Sequence, residues 1–160
     1  MHLGRLKIHH HAPLILRLTL FTQIDDQGIG TTLWSPIGVF MPGCDPVQPD
    51  LLVVRQEELG IFRDRRIYGV PALLIEVLSP SNPEQDMEVK RDAYARAGVP
   101  EYWVVRPAER DMLVCSQPDT RLGVYTRVDS IPPGGEVVSP TLPFRASIAS
   151  FFANAPDTTL

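Results

Sequence analysis

A mixed α/β fold built on one central sheet is predicted by three observations. First, Ala72-Leu73-Leu74-Ile75-Glu76-Val77-Leu78 is a nearly continuous apolar run, the mark of a central strand covered on both faces. Second, Ser79-Pro80-Ser81-Asn82-Pro83 stops that strand and starts a helix, which Gly98 closes in the left-handed conformation. Third, the elements follow in the order helix, strands, helix, strands, which gives a mixed sheet rather than a doubly wound one.

The first helix is read between Leu14 and Ile24. Leu14, Leu16, Leu18 and Leu20 alternate as a strand would, whereas Leu14, Leu18 and Phe21 fit a helix face. Segment length and the Asp25-Asp26-Gln27-Gly28 exit favour the helix, with Pro13 suited to its first turn. Residues 30–34 and 37–41 then read as two strands joined by a turn at Ser35-Pro36, and Pro42 to Pro46 as a loop. Gln48 to Arg55 reads as a strand, followed by a polar excursion at Phe62-Arg63-Asp64-Arg65-Arg66 before the central strand. In the second helix Asn82 is the cap, Pro83 takes the first helical position and Gln85 reaches back, and the helix runs to about Ala97. Beyond it come a strand from Pro100 to Arg106, a hairpin of 111–116 with 122–128, and a strand at 136–139. A short helix from Ala146 to Phe152 buries Ile148, Phe151 and Phe152, and a frayed tail starts at Asn154.

The bulk numbers suit one domain over residues 1–160, long enough to bury a real core. A net charge of −4, a pI near 5.5 and a mean hydropathy of −0.02 argue against a protein that coats nucleic acid by bulk charge. A local grip on one stretch of backbone is still open to it. Cys44 and Cys115 are too few and too far apart for a metal cage or redox pair, and read as reduced thiols. There is no apolar stretch of about 18 residues, nor a signal peptide at Met-His-Leu-Gly-Arg-Leu-Lys, so a cytoplasmic location is expected.

Three charged residues stand out: Asp50, Glu76 and Lys90. Asp50 opens the apolar run Leu51-Leu52-Val53-Val54, and Glu76 interrupts the central one. A lone carboxylate in a buried strand costs several kcal/mol unless a cation or strong donors meet it. Two strand carboxylates followed by a helix lysine form a divalent-metal site with a cationic helper. Blander readings exist for each. Glu76 could reach solvent at a sheet edge, although Leu74 and Leu78 flank it on its own face. Asp50 after Pro49 could cap a turn. Lys90 could pair with Asp86, four residues earlier on the helix. Against this last reading, only Lys7 and Lys90 among the 15 basic residues are lysines. An otherwise arginine-using chain has a compact, tunable ammonium at position 90. Tyr94 shares the Lys90 face and reads as core. His9-His10-His11 has no second cluster to complete a metal shell, and Arg63, Arg65 and Arg66 read as a solvated loop that could touch a phosphate backbone.

These residues lie in segments that resemble a known family. The segments are Gln48-Pro49-Asp50-Leu51-Leu52-Val53-Val54, Pro71 to Ser81 with Glu-Val-Leu-Ser-Pro-Ser at its end, Asp86, Lys90, Tyr94, and Ala97-Gly98-Val99-Pro100-Glu101-Tyr102-Trp103-Val104-Val105. In this order they resemble the Uma-type restriction endonucleases of the PD-(D/E)xK nuclease superfamily, from about Ser35 to Pro107 and again from Val138 to Phe152. The resemblance implies a restriction-endonuclease-like central sheet flanked by helices. It also implies Mg²⁺- or Mn²⁺-dependent hydrolysis of DNA phosphodiesters by Asp50, Glu76 and Lys90, with DNA as the partner; a homodimer is a separate expectation that goes with the inactive module weighed below. Asp50 and Glu76 would bind the metal, with the backbone carbonyl of Val77 as a further ligand. The plain superfamily motif places its lysine two residues after the acid, where this chain has Leu78, so Lys90 would replace it from the helix.

One departure from the family pattern concerns the N-terminus. Family members usually carry an N-terminal segment with an acidic residue ahead of the first helix, and this chain begins close to that helix, so the segment is expected to be missing. The rival expectation is therefore a catalytically inactive interaction or DNA-binding module that keeps the nuclease fold.

Overall fold

Ala12, Leu16, Leu20 and Ile24 recur at the spacing of one helix face, and all four are buried. They belong to α1, which spans Leu3–Leu20 and continues through a π-helical turn at Phe21–Asp25 in this computed structural model. The structure describes residues 3–79 and 84–153. The helix expected here is present, but its inward face is not the expected one: Leu14, Leu18 and Phe21 are exposed. Pro13 is likewise inside α1 rather than in its first turn, because the helix already begins at Leu3. Each buried leucine contributes about 1.5–3 kcal/mol, which offsets much of the cost of an interior proline.

Six strands form the main sheet: β1 (Gly30–Trp34), β3 (Leu51–Arg55), β6 (Leu73–Val77), β7 (Glu101–Arg106), β8 (Asp111–Asp119) and β9 (Val124–Ile131), in that spatial order. Only β6 and β7 run parallel, joined across the sheet face by α2 (Glu84–Ala97). The sheet is therefore mixed, as expected. The expected cap at Asn82 and Pro83 lies outside the described residues, as does the tail from Asn154. At the other end of α2, Gly98 has φ +80° and donates its N–H to the Ala95 carbonyl.

Alternation of side chains divides the core into two layers. Leu51, Val53, Leu73, Ile75, Trp103 and Val105 face α1 and α3 (Ile148–Phe152). Leu52, Val54, Leu74, Tyr102 and Val104 face α2, whose Met87, Tyr94 and Ala95 close that layer. As expected, Ile148, Phe151 and Phe152 are buried.

Two expectations are corrected by a second, smaller sheet of β2 (Gly38–Phe40), β5 (Arg66–Tyr68) and β4 (Phe62–Arg63). Residues 30–34 and 38–40 are both strands but do not pair with each other: β1 pairs with β3, and β2 runs parallel to β5. Phe62 to Arg66 is not a plain polar excursion, since β4 and β5 form a hairpin whose turn residues Asp64 and Arg65 have φ of 51° and 60°. Two left-handed residues match the twist of a tight hairpin, and their polarity disguises it as loop. The strand expected from Gln48 begins at Leu51, and β10 (Glu136–Val138) pairs with β11 (Arg145–Ser147) ahead of α3.

Candidate active site

Register brings the two carboxylates together. β3 and β6 are antiparallel with Leu51 opposite Ile75, so Asp50, one residue before β3, falls opposite Glu76. The Asp50 carboxylate accepts the Val77 backbone N–H at 2.7 Å, which holds it against the end of β6. Asp50 thus has a backbone partner across the strands rather than a turn of its own to cap.

Glu76 is 2% exposed and sits in β6 between β3 and β7, which removes the sheet-edge reading. Its compensation comes from α2. Lys90 Nζ lies 3.2 Å from Glu76 Oε1, and the Tyr94 hydroxyl donates to the same oxygen at 2.9 Å. Residues 87, 90 and 94 are spaced to share one helix face, and that face looks down on the sheet. Lys90 is therefore engaged with Glu76; the Asp86 side chain of the alternative pairing lies outside the described ones. The Lys90 side chain is 33% exposed, so its ammonium spans the buried carboxylate and the solvent side of the site.

Burial raises the Glu76 pKa above the ordinary 4.5; the Lys90 charge opposes this, the Asp50 charge adds to it, and the hydrogen bonds from Tyr94 and Lys90 oppose it. The net direction is upward. A carboxylate poised in this way gains from any further positive charge. The Tyr94 hydroxyl is pushed up by burial and by the neighbouring carboxylate, which keeps it a donor.

Tyr94 is core, as its sequence context implies, with 0% exposure and its ring edge-on to Tyr102 at 5.0 Å. Its hydroxyl nevertheless belongs to the site, a role that helical spacing alone does not distinguish from packing. Replacing Tyr94 with Phe keeps the ring and removes the donor. This change is expected to raise the Glu76 pKa further, readable as an upfield-to-downfield carboxyl titration by NMR shifted to higher pH.

The other named residues sit elsewhere. Arg63, Arg65 and Arg66 are exposed on the β4–β5 hairpin, with Arg63 over the Tyr68 ring at 5.2 Å. The side chains of His9, His10 and His11 lie outside the described ones. Cys44 and Cys115 are both free thiols, and burial pushes Cys115 up to about 11.

Among the described residues, no group of three or more His, Cys, Asp or Glu side chains could hold a metal ion. The donor chemistry at Asp50 and Glu76 is nonetheless that of a hard cation. Mg²⁺ commonly takes one or two protein carboxylates and completes its shell with water and substrate oxygens. For Val77, the group shown bonded is the amide, to Asp50.

Among the described residues no helix is long and apolar enough to cross a membrane. The fold is similar to that of a solved protein from Anabaena variabilis ATCC 29413, titled a "putative nuclease belonging to DUF820". The match has a TM-score of 0.75 at 16% identity and covers 91% of this chain and 80% of that one. No curated protein matches significantly in sequence. Residues 4–150 match the model of the family described as "Uma2: Putative restriction endonuclease".

Proposed function

Since the chain belongs to the Uma2 family, we propose that it is a Mg²⁺- or Mn²⁺-dependent DNA endonuclease with its centre at Asp50, Glu76 and Lys90. The observation that carries this reading is the buried Glu76 carboxylate, opposite Asp50 and met by one ammonium and one phenol. The Asp50 charge adds to the cost of ionising Glu76, an arrangement that a bound cation would relieve.

In the reaction, a water oxygen attacks phosphorus, the bond to the leaving oxygen breaks, and that oxygen takes a proton. Asp50 and Glu76, with the Val77 carbonyl, would hold the ion. Bound there, a divalent cation lowers the pKa of water and neutralises charge growing on the phosphoryl oxygens. Lys90 orients the attacking water or steadies a phosphoryl oxygen from the solvent side of Glu76. Tyr94 holds Glu76 in place through its Oε1. The Val77 amide does the same for Asp50. Arg63, Arg65 and Arg66 would reach the flanking DNA backbone, where arginine suits phosphate geometry.

The test is calorimetric titration with Mg²⁺ and Mn²⁺ alongside cleavage of supercoiled and single-stranded DNA. Metal binding together with nicking supports the proposal. Absence of both favours the nuclease-fold interaction module. Lys90→Ala is expected to retain metal affinity while slowing cleavage about a hundredfold or more, the usual scale of a positioned acid–base or electrostatic group. Cleavage by this variant at the parental rate would reduce Lys90 to a partner of Glu76 with no part in the chemistry.

A further inference from the structure

The sheet face that carries Glu76 continues past it. Glu76 pairs with Val104 in β7, and Val104 with Leu113 in β8, so the three side chains form a row across three strands. At about 4.8 Å between strands, Leu113 lies roughly 10 Å from Glu76. Over this row α2 presents Met87 and Arg91, on the turn that also carries Lys90. Between helix and sheet lies an open crevice of about 210 Å³, with Leu78, Val104 and Leu113 on the sheet side and Met87 and Arg91 on the helix side. Arg106 also borders it, held by two bonds of 2.7 Å to Asp111.

Its place in the fold is informative. The crevice opens where β6 and β7, the parallel pair, reach their carboxyl ends, the position at which open α/β sheets bind ligands. Its lining is mainly apolar, with Arg91, Arg106 and the exposed Glu88 as its charged side chains. Such a lining accepts a flat heterocycle, because a base has a π-face that can stack on an arginine plane and pack on aliphatic side chains without a fixed hydrogen-bond pattern. A sugar-phosphate chain alone would find little use for Leu78, Val104 and Leu113.

We infer that this crevice seats an unpaired nucleobase of the substrate strand, beside the phosphodiester held at Glu76. The inference rests on the nuclease reading for its substrate. A paired base cannot enter a slot between helix and sheet, so the strand must be single or locally opened, at the cost of unstacking.

The test is methyl NMR of the full chain in EDTA, where no cleavage intervenes. The protein is titrated with thymidine 5′-monophosphate, deoxyribose 5-phosphate and inorganic phosphate. The nucleotide is expected to shift the methyls of Leu78, Met87, Val104 and Leu113, and the two base-free phosphates to leave them in place. Arg91→Ala, which removes a guanidinium from the crevice lining, is expected to weaken single-stranded oligonucleotide binding at least fivefold, about 1 kcal/mol. Silent methyls, or equal shifts with deoxyribose 5-phosphate, would overturn the inference. The nuclease reading fails separately. Nucleotide-dependent shifts without DNA cleavage by the metal-loaded parent leave the crevice standing and remove the nuclease, whereas cleavage with silent methyls does the reverse.

Discussion

Glu76→Gln is expected to abolish metal-dependent cleavage while leaving the fold intact and more stable at neutral pH. The loss of activity follows from removing a proposed anionic ligand: forfeiting about 4 kcal/mol of transition-state stabilisation slows cleavage roughly a thousandfold. The gain in stability follows from burial. Glu76 is 2% exposed and its pKa is raised from 4.5 by desolvation. Between pH 4.5 and the raised value, the folded protein holds a proton that the unfolded chain has released. Stability therefore falls as pH rises through that window, and the deficit is fully present above it. Glutamine does not titrate and still offers an oxygen to the Lys90 and Tyr94 donors. The variant's advantage should thus grow from pH 4 to neutrality, which chemical denaturation at several pH values measures directly. A variant that unfolds, from a parent that binds no metal, would make Glu76 a structural residue and end the site model.

Glu101→Ala is expected to cost about 3 kcal/mol without touching the proposed chemistry. Glu101 opens β7 and is completely buried. Its carboxylate accepts the Trp103 indole N–H at 2.6 Å, the Ser139 hydroxyl at 2.6 Å and the Thr141 hydroxyl at 2.5 Å. Alanine leaves those donors facing a void, each at about 1–3 kcal/mol, although the two hydroxyls can rotate to other acceptors. Relief of a buried charge offsets part of the rest. The segment so held also packs Phe144 against Trp103, ring centroids 5.4 Å apart with the planes tilted by 53°, so its release loosens the carboxyl-terminal strands. Against a total stability of about 5–15 kcal/mol, such a loss is plain in a urea melt. A midpoint equal to the parent's would show that the three donors find other partners at no cost.

The difference between these two acids explains what the chain discloses before it is folded. Glu76 is conspicuous because it breaks an apolar run, and Asp50 because it opens one. Both signals are local. Glu101 precedes Tyr102 and Trp103 just as conspicuously, yet its partners Ser139 and Thr141 lie 38 and 40 residues away, and no pattern of period two or 3.6 links them. The central strands, α2 and the β8–β9 hairpin were legible for the same local reason. The inward face of α1 was not, because its leucines at even positions populate both sides of a helix and only packing selects between them. The β4–β5 hairpin was hidden by Asp64 and Arg65, whose left-handed conformations the neighbouring strands impose. Lys90 was visible through rarity and resemblance, whereas the bond from Tyr94 required the helix to be docked.

That docking divides the candidate site between two mechanical parts. Glu76 rides on a strand paired to its neighbours and Asp50 directly precedes one, while Lys90 and Tyr94 arrive on a helix laid over the sheet by side-chain packing. Warming should loosen the packed layer before the paired one. Catalytic competence would then decline at temperatures where strand content is still complete, so inactivation would run ahead of the melting transition, with the two curves converging only in variants that clamp α2 to the sheet.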